Sequence, residues 1–90
     1  MDPFTAYLDI EYKISQSKKL LAADPENIGL KKEVRNLERD YGITEKLVRQ
    51  NLDHHEDRKA KIVFPGTNEE VEFRINLYEE LIIERNKIPD

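Results

Sequence analysis

Apolar residues recur at helical spacing through the first half of the chain and alternate after Ala60. Tyr7, Ile10, Ile14 and Leu21 form a first stripe, with Phe4 near it and Ser17 interrupting it, the spacing of one helix face. That helix is expected to end near Ala23. Asp24-Pro25-Glu26-Asn27 then reads as a turn that also starts the next helix, with Asp24 as N-cap and Pro25 at the first helical position. Leu30, Val34, Leu37 and Tyr41 make a second, narrow stripe, while Lys31, Lys32, Arg35 and Arg39 point elsewhere. Gly42 is expected to end this helix in the left-handed cap conformation, with Ile43 as the apolar contact that follows such a cap. A third helix then starts at Thr44 as N-cap, with Leu47, Val48, Leu52 and His55 on one side and Lys46, Arg49, Gln50 and Asp53 on the other.

From Ala60 the period becomes two. Ile62 and Phe64 share one side, and Val71, Phe73 and Ile75 alternate with Glu72 and Arg74, so two strands are expected. Pro65-Gly66-Thr67-Asn68 supplies turn chemistry between them, which makes a hairpin. A hairpin alone is unstable in water, so its apolar side must pack on the helices. The segment from Asn76 to Ile88 is expected to be a final helix whose Leu77, Tyr78, Leu81, Ile82, Ile83 and Ile88 spread over more than one face. The fold class that results is α+β, a mostly helical single domain over residues 1–90 in the order helix, helix, helix, β-hairpin, helix. Met1 to Thr5 receive no weight, because such openings arise from expression vectors and a disordered start is expected there.

Leu, Ile, Val and Phe number 25 of the 90 residues, enough for a fold, although 38% of the chain is charged. A core this thin gains from pairing with itself or with a partner, and homo-oligomerisation is expected on that ground. The absence of cysteine excludes disulfides and thiolate metal sites. No apolar run approaches the length of a membrane span and the N-terminus lacks signal-peptide character, so a cytoplasmic protein with no membrane partner is expected. Net charge is −4, distributed as −2 over residues 1–29, +2 over 30–61 and −4 over 62–90. An acidic chain is a poor general ligand for phosphates, and only the mildly basic middle runs against that.

Candidate chemistry is sparse. His54 and His55 within Asp53-His54-His55-Glu56-Asp57 are adjacent, so on a helix they point about 100° apart, and no further ligand at metal-binding spacing is visible. The acidic pairs Glu69-Glu70 and Glu79-Glu80 read as solvated surface, since general acid and base work needs a pocket that separates their pKa values. No catalytic residues, metal ligands or cofactors are assigned, and an enzyme is not expected.

Leu37 to Leu52 resembles a helix-turn-helix motif, with Gly42 at the turn, Ile43, Val48 and Leu52 as buried positions, and an outward face of Lys46, Arg49 and Gln50. The hairpin that follows sits where a winged-helix domain carries its wing. Lys46, Arg49, Gln50 and Asn51 would then contact DNA. Against this, Glu38 stands where the motif usually has a small residue at the helix crossing, and the proposed wing carries Glu69 and Glu70 with no Lys or Arg. A helix ending in glycine followed by another helix fits the same residues. The function expected first is therefore a small, acidic, non-enzymatic interaction or regulatory protein that binds a protein partner or itself through helical surfaces, with Tyr78, Ile82 and Ile83 as contacts; a winged helix-turn-helix DNA-binding regulator is the alternative.

Overall fold

The computed structural model describes residues 2–64 and 66–88 and consists of two antiparallel helices packed on a three-stranded antiparallel sheet. The α+β class is as expected; the element order is not. Helix α1 spans Pro3–Ala23 and α2 spans Ile28–Asp53, followed by β1 (Lys59–Val63), β2 (Glu69–Ile75) and β3 (Leu81–Lys87) in the spatial order β1-β2-β3. Met1, in the opening segment, and Pro65, in the expected hairpin turn, lie outside the described residues, as do Pro89 and Asp90.

From Pro3 on, the opening segment is part of α1, and Phe4 belongs to the core. Asp2 caps α1 by accepting the Thr5 N–H, Pro3 sits in the first turn where its missing N–H costs nothing, and Phe4 is buried. The expected end of α1 at Ala23 holds. Asp24, expected as the N-cap of the second helix, instead closes the first, its N–H bonding to the carbonyls of Leu20 and Leu21. Asn27 is the N-cap of α2, its side chain accepting the Leu30 N–H at 3.0 Å.

The expected break at Gly42 does not occur. Helix α2 runs unbroken for 26 residues, so the second and third expected helices are one. Gly42 lies on the exposed side, its backbone stays out of the left-handed region, and Thr44 is a buried interior residue whose hydroxyl donates to the Asp40 carbonyl at 2.7 Å. Leu30, Val34, Leu37, Tyr41, Thr44, Val48 and Leu52 form one stripe in continuous helical phase. Ile43 and Leu47, both expected inside, are exposed because they fall outside it.

The segment expected as a C-terminal helix is a turn and a strand. β2 pairs with β1 on one side and β3 on the other, placing Phe73 between Ala60 and Ile83 and Val71 between Ile62 and Arg85. One sheet face thus collects Ala60, Ile62, Val71, Phe73, Ile75, Leu81 and Ile83 against the helices, while Lys59, Lys61, Glu72, Arg74 and Glu84 lie on the other. The core is the meeting of Phe4, Tyr7 and Leu8 of α1, Val48 and Leu52 of α2, and Val71 and Phe73 of β2. Phe4 and Tyr7 meet the Phe73 ring edge-on, at centroid distances of 5.0 and 6.1 Å, and Tyr7 stacks on Tyr41 at 4.4 Å. Ser17 and Val34, in the halves of α1 and α2 nearest their connecting loop, are buried but lie outside this cluster.

Candidate functional site

Between β2 and β3 the chain reverses over Asn76-Leu77-Tyr78-Glu79-Glu80, and three layers of restraint hold that reversal. Asn76 is the first. Its backbone N–H donates to the Glu80 carbonyl at 3.0 Å, its carbonyl accepts the Glu79 N–H at 3.1 Å, and its Oδ1 accepts the N–H groups of Tyr78 and Glu80, each at 2.9 Å. Second, Glu79 takes a left-handed backbone (φ 62°), the position that closes a turn of this length, at a cost of about 1 kcal/mol for a residue with a Cβ. Third, two arginines grip Glu79. Arg58 reaches both carboxylate oxygens, at 3.2 and 2.7 Å, and Arg49 donates to the Glu79 carbonyl at 2.8 Å. Arg58 also pairs with Asp53 at 3.1 Å, so the turn is tied to the end of α2 and to the loop after it.

The electrostatics follow from this geometry. Hydrogen bonding and charge from Arg58 hold the Glu79 carboxyl below the usual carboxylate range, and the same bond raises Arg58. Each of these groups is open to water, so they fix the turn's shape more than they add stability.

What the restrained turn presents is apolar. Leu77 is 98% and Tyr78 83% exposed, the two highest values among the exposed large hydrophobic residues. Central turn positions ordinarily carry Gly, Asn, Asp or Ser. Of the contacts expected on a helix, Tyr78 is exposed at this apex, whereas Ile82 and Ile83 lie on β3. Ile83 faces inward opposite Phe73 and packs against the core, which corrects the expectation that it projects outward; Ile82, on the other sheet face, lies opposite Arg74. Leu77, expected on the same helix, is the most exposed residue of the apex. The overlooked signal is Asn76, a turn-forming side chain directly after the alternating run of β2.

The residues expected to contact DNA, Lys46, Arg49, Gln50 and Asn51, all lie in the second half of α2. The turn between two crossing helices on which the helix-turn-helix resemblance depended is absent, because α2 passes straight through Gly42. Lys46 and Gln50 are exposed, Asn51 donates to its own helix at the Leu47 carbonyl, and Arg49 is engaged with Glu79. His54 forms the C-cap of α2 with His55 beside it, both exposed; among the described residues no group of three or more His, Asp or Glu side chains is placed to hold a metal. Glu69 and Glu70 alternate on β2, and Lys61 lies 3.8 Å from Glu70.

One cleft, of about 350 Å³, lies between α1 and the end of the sheet away from the apex, with Tyr12 and Phe64 among its walls. Arg85 and Glu11, which also line it, are ion-paired with each other, and Glu11 also accepts from the Tyr41 hydroxyl at 3.2 Å. That pair occupies two of its charged groups, and Glu69 is the third charged residue of the lining. Among the described residues, no helix is long and apolar enough to cross a membrane. No family model matches the chain, and no curated protein or solved structure matches it either.

Proposed function

We propose that this protein is a non-enzymatic interaction module that binds a protein partner through the Leu77–Tyr78 apex of its β2–β3 turn. The observation that carries this reading is the near-complete exposure of two large apolar side chains on a turn held by Asn76, Arg49 and Arg58. Burying such side chains at an interface is worth about 1.5–3 kcal/mol each. Rigidity adds to that, since a pre-ordered turn loses little entropy on docking, and Tyr is a frequent anchor of binding energy. The contact surface is thus assigned to a hairpin apex and not to a helix. A cytoplasmic location belongs to the same proposal, to be read by fractionation of the tagged protein.

The test compares the native chain with a Leu77→Ser, Tyr78→Ser double variant. Proteins captured by the native chain are purified and measured in binary assays against both. A partner whose affinity falls at least about tenfold in the variant, with the thermal midpoint unchanged, is the expected result. If every captured protein binds both forms equally, the apex is not a binding site.

A further inference from the structure

The sheet register determines which backbone groups of β3 face outward. At the turn Asn76 bonds to Glu80, and at the far end the Ile88 N–H donates to the Asn68 carbonyl at 2.7 Å. Bonded and non-bonded pairs alternate along an antiparallel ladder. Between those two closed pairs, Ile82, Glu84 and Asn86 therefore bond to β2, and Leu81, Ile83, Arg85 and Lys87 turn their N–H and C=O groups away from it. Among the described residues, no hydrogen bond reaches those outward groups.

The two edges of the sheet differ. Along β1 the same alternation turns Lys59, Lys61 and Val63 outward, and lysines on a short edge strand discourage pairing with another chain. β3 is longer, pairs with β2 without a bulge, and opens with Leu81, Ile82 and Ile83. Its charges run from Glu79 and Glu80 before it to Arg85 and Lys87 at its end, with Glu84 between them paired to Arg74 of β2.

We propose that β3 pairs antiparallel with β3 of a second copy of this chain, about a two-fold axis at Ile83, joining two sheets into one of six strands. The register follows from charge. An axis at Glu84 would set that residue against itself, an axis at Arg85 would do the same with arginine, and an axis at Ile82 would oppose Glu80 and Glu84. With the axis at Ile83, Leu81 meets Arg85, Ile82 meets Glu84, and Glu79 and Glu80 of each copy run toward Lys87 and Asn86 of the other. The outward groups of Leu81, Ile83 and Arg85 then close about six hydrogen bonds across the axis. The pairing uses neither Leu77 nor Tyr78 and stands or falls apart from the partner-binding reading.

Sedimentation of the full chain in a concentration series to about 1 mM tests the association, with a reversible monomer–dimer equilibrium expected. Arg85→Pro removes an N–H that β2 does not use, so it should leave a folded monomer. Because the chain has no cysteine, cross-linking provides a second measurement. Mixed Ile82→Cys and Glu84→Cys chains should form a disulfide between the two variants on mild oxidation, while either alone forms little. A native chain that stays monomeric throughout overturns the proposal. So does efficient cross-linking of Glu84→Cys or Ile82→Cys with itself, or a dimer that survives Arg85→Pro and is lost in Leu77→Ser, Tyr78→Ser.

Discussion

Replacing Gly42 with alanine should stabilise this protein, and the sign of that change tests the continuity of α2. A Cβ built at Gly42 has no heavy atom within 4 Å, and the backbone there is not in the left-handed region, so the new methyl meets neither clash nor strain. What remains is the difference in intrinsic helix preference, about 0.8–1.0 kcal/mol per residue in favour of alanine, much of it from the smaller backbone entropy of the unfolded chain. For a domain of this size 1 kcal/mol moves the thermal midpoint by about 4–8 °C. Far-UV circular dichroism melts, with urea titrations to check that the slope against denaturant is unchanged, would measure it. Were Gly42 a left-handed cap between two helices, the same substitution would lower the midpoint instead. A decrease of more than about 0.5 kcal/mol refutes the continuous helix and restores the turn.

Phe73→Ala should cost about 3–5 kcal/mol and leave little folded protein at 37 °C by circular dichroism, because Phe73 is fully buried under Phe4 and Tyr7. Thr44→Val should change stability by less than about 1 kcal/mol in urea titrations, because the hydroxyl it removes bonds only the Asp40 carbonyl of its own helix, a back-bond that adds little; loss of an N-cap there would cost about 1 kcal/mol or more. Burial raises the hydroxyl pKa of both Tyr7 and Tyr41 above the ordinary 10.0, so the stability they contribute is complete below pH 10 and declines as pH rises beyond it, where the unfolded chain loses protons that the folded one keeps. Thermal midpoints from pH 8 to about 11.5 should fall more steeply for the native chain than for a Tyr7→Phe, Tyr41→Phe double variant; equal slopes would remove these tyrosines as the cause.

The parts of the fold that were legible in the sequence, and those that were not, separate on physical grounds. Val71, Phe73 and Ile75 alternate cleanly with Glu72 and Arg74 because β2 has one face on the core and one toward solvent, and that pattern is local. The two helices were harder because Ser17 and Thr44, the buried polar residues, occupy slots in otherwise apolar stripes. Ser17 reads as an interruption of its stripe and Thr44 as an N-cap, where a nearby glycine makes a helix end look complete. A small polar residue in a helix can satisfy its hydroxyl on the preceding turn, as Thr44 does on Asp40, so polarity at one position is weaker evidence than phase over seven. The C-terminal segment failed for the opposite reason. Its apolar residues exceed any single helix face, because alternation places Leu81 and Ile83 inward and Ile82 outward on a strand. The same reassignment leaves Leu77 and Tyr78 with no face of the domain to cover them. A two-residue apolar apex is conspicuous only once the backbone is known to turn there, and that depends on Asn76 bonding its own chain, an interaction that hydrophobic periodicity does not register.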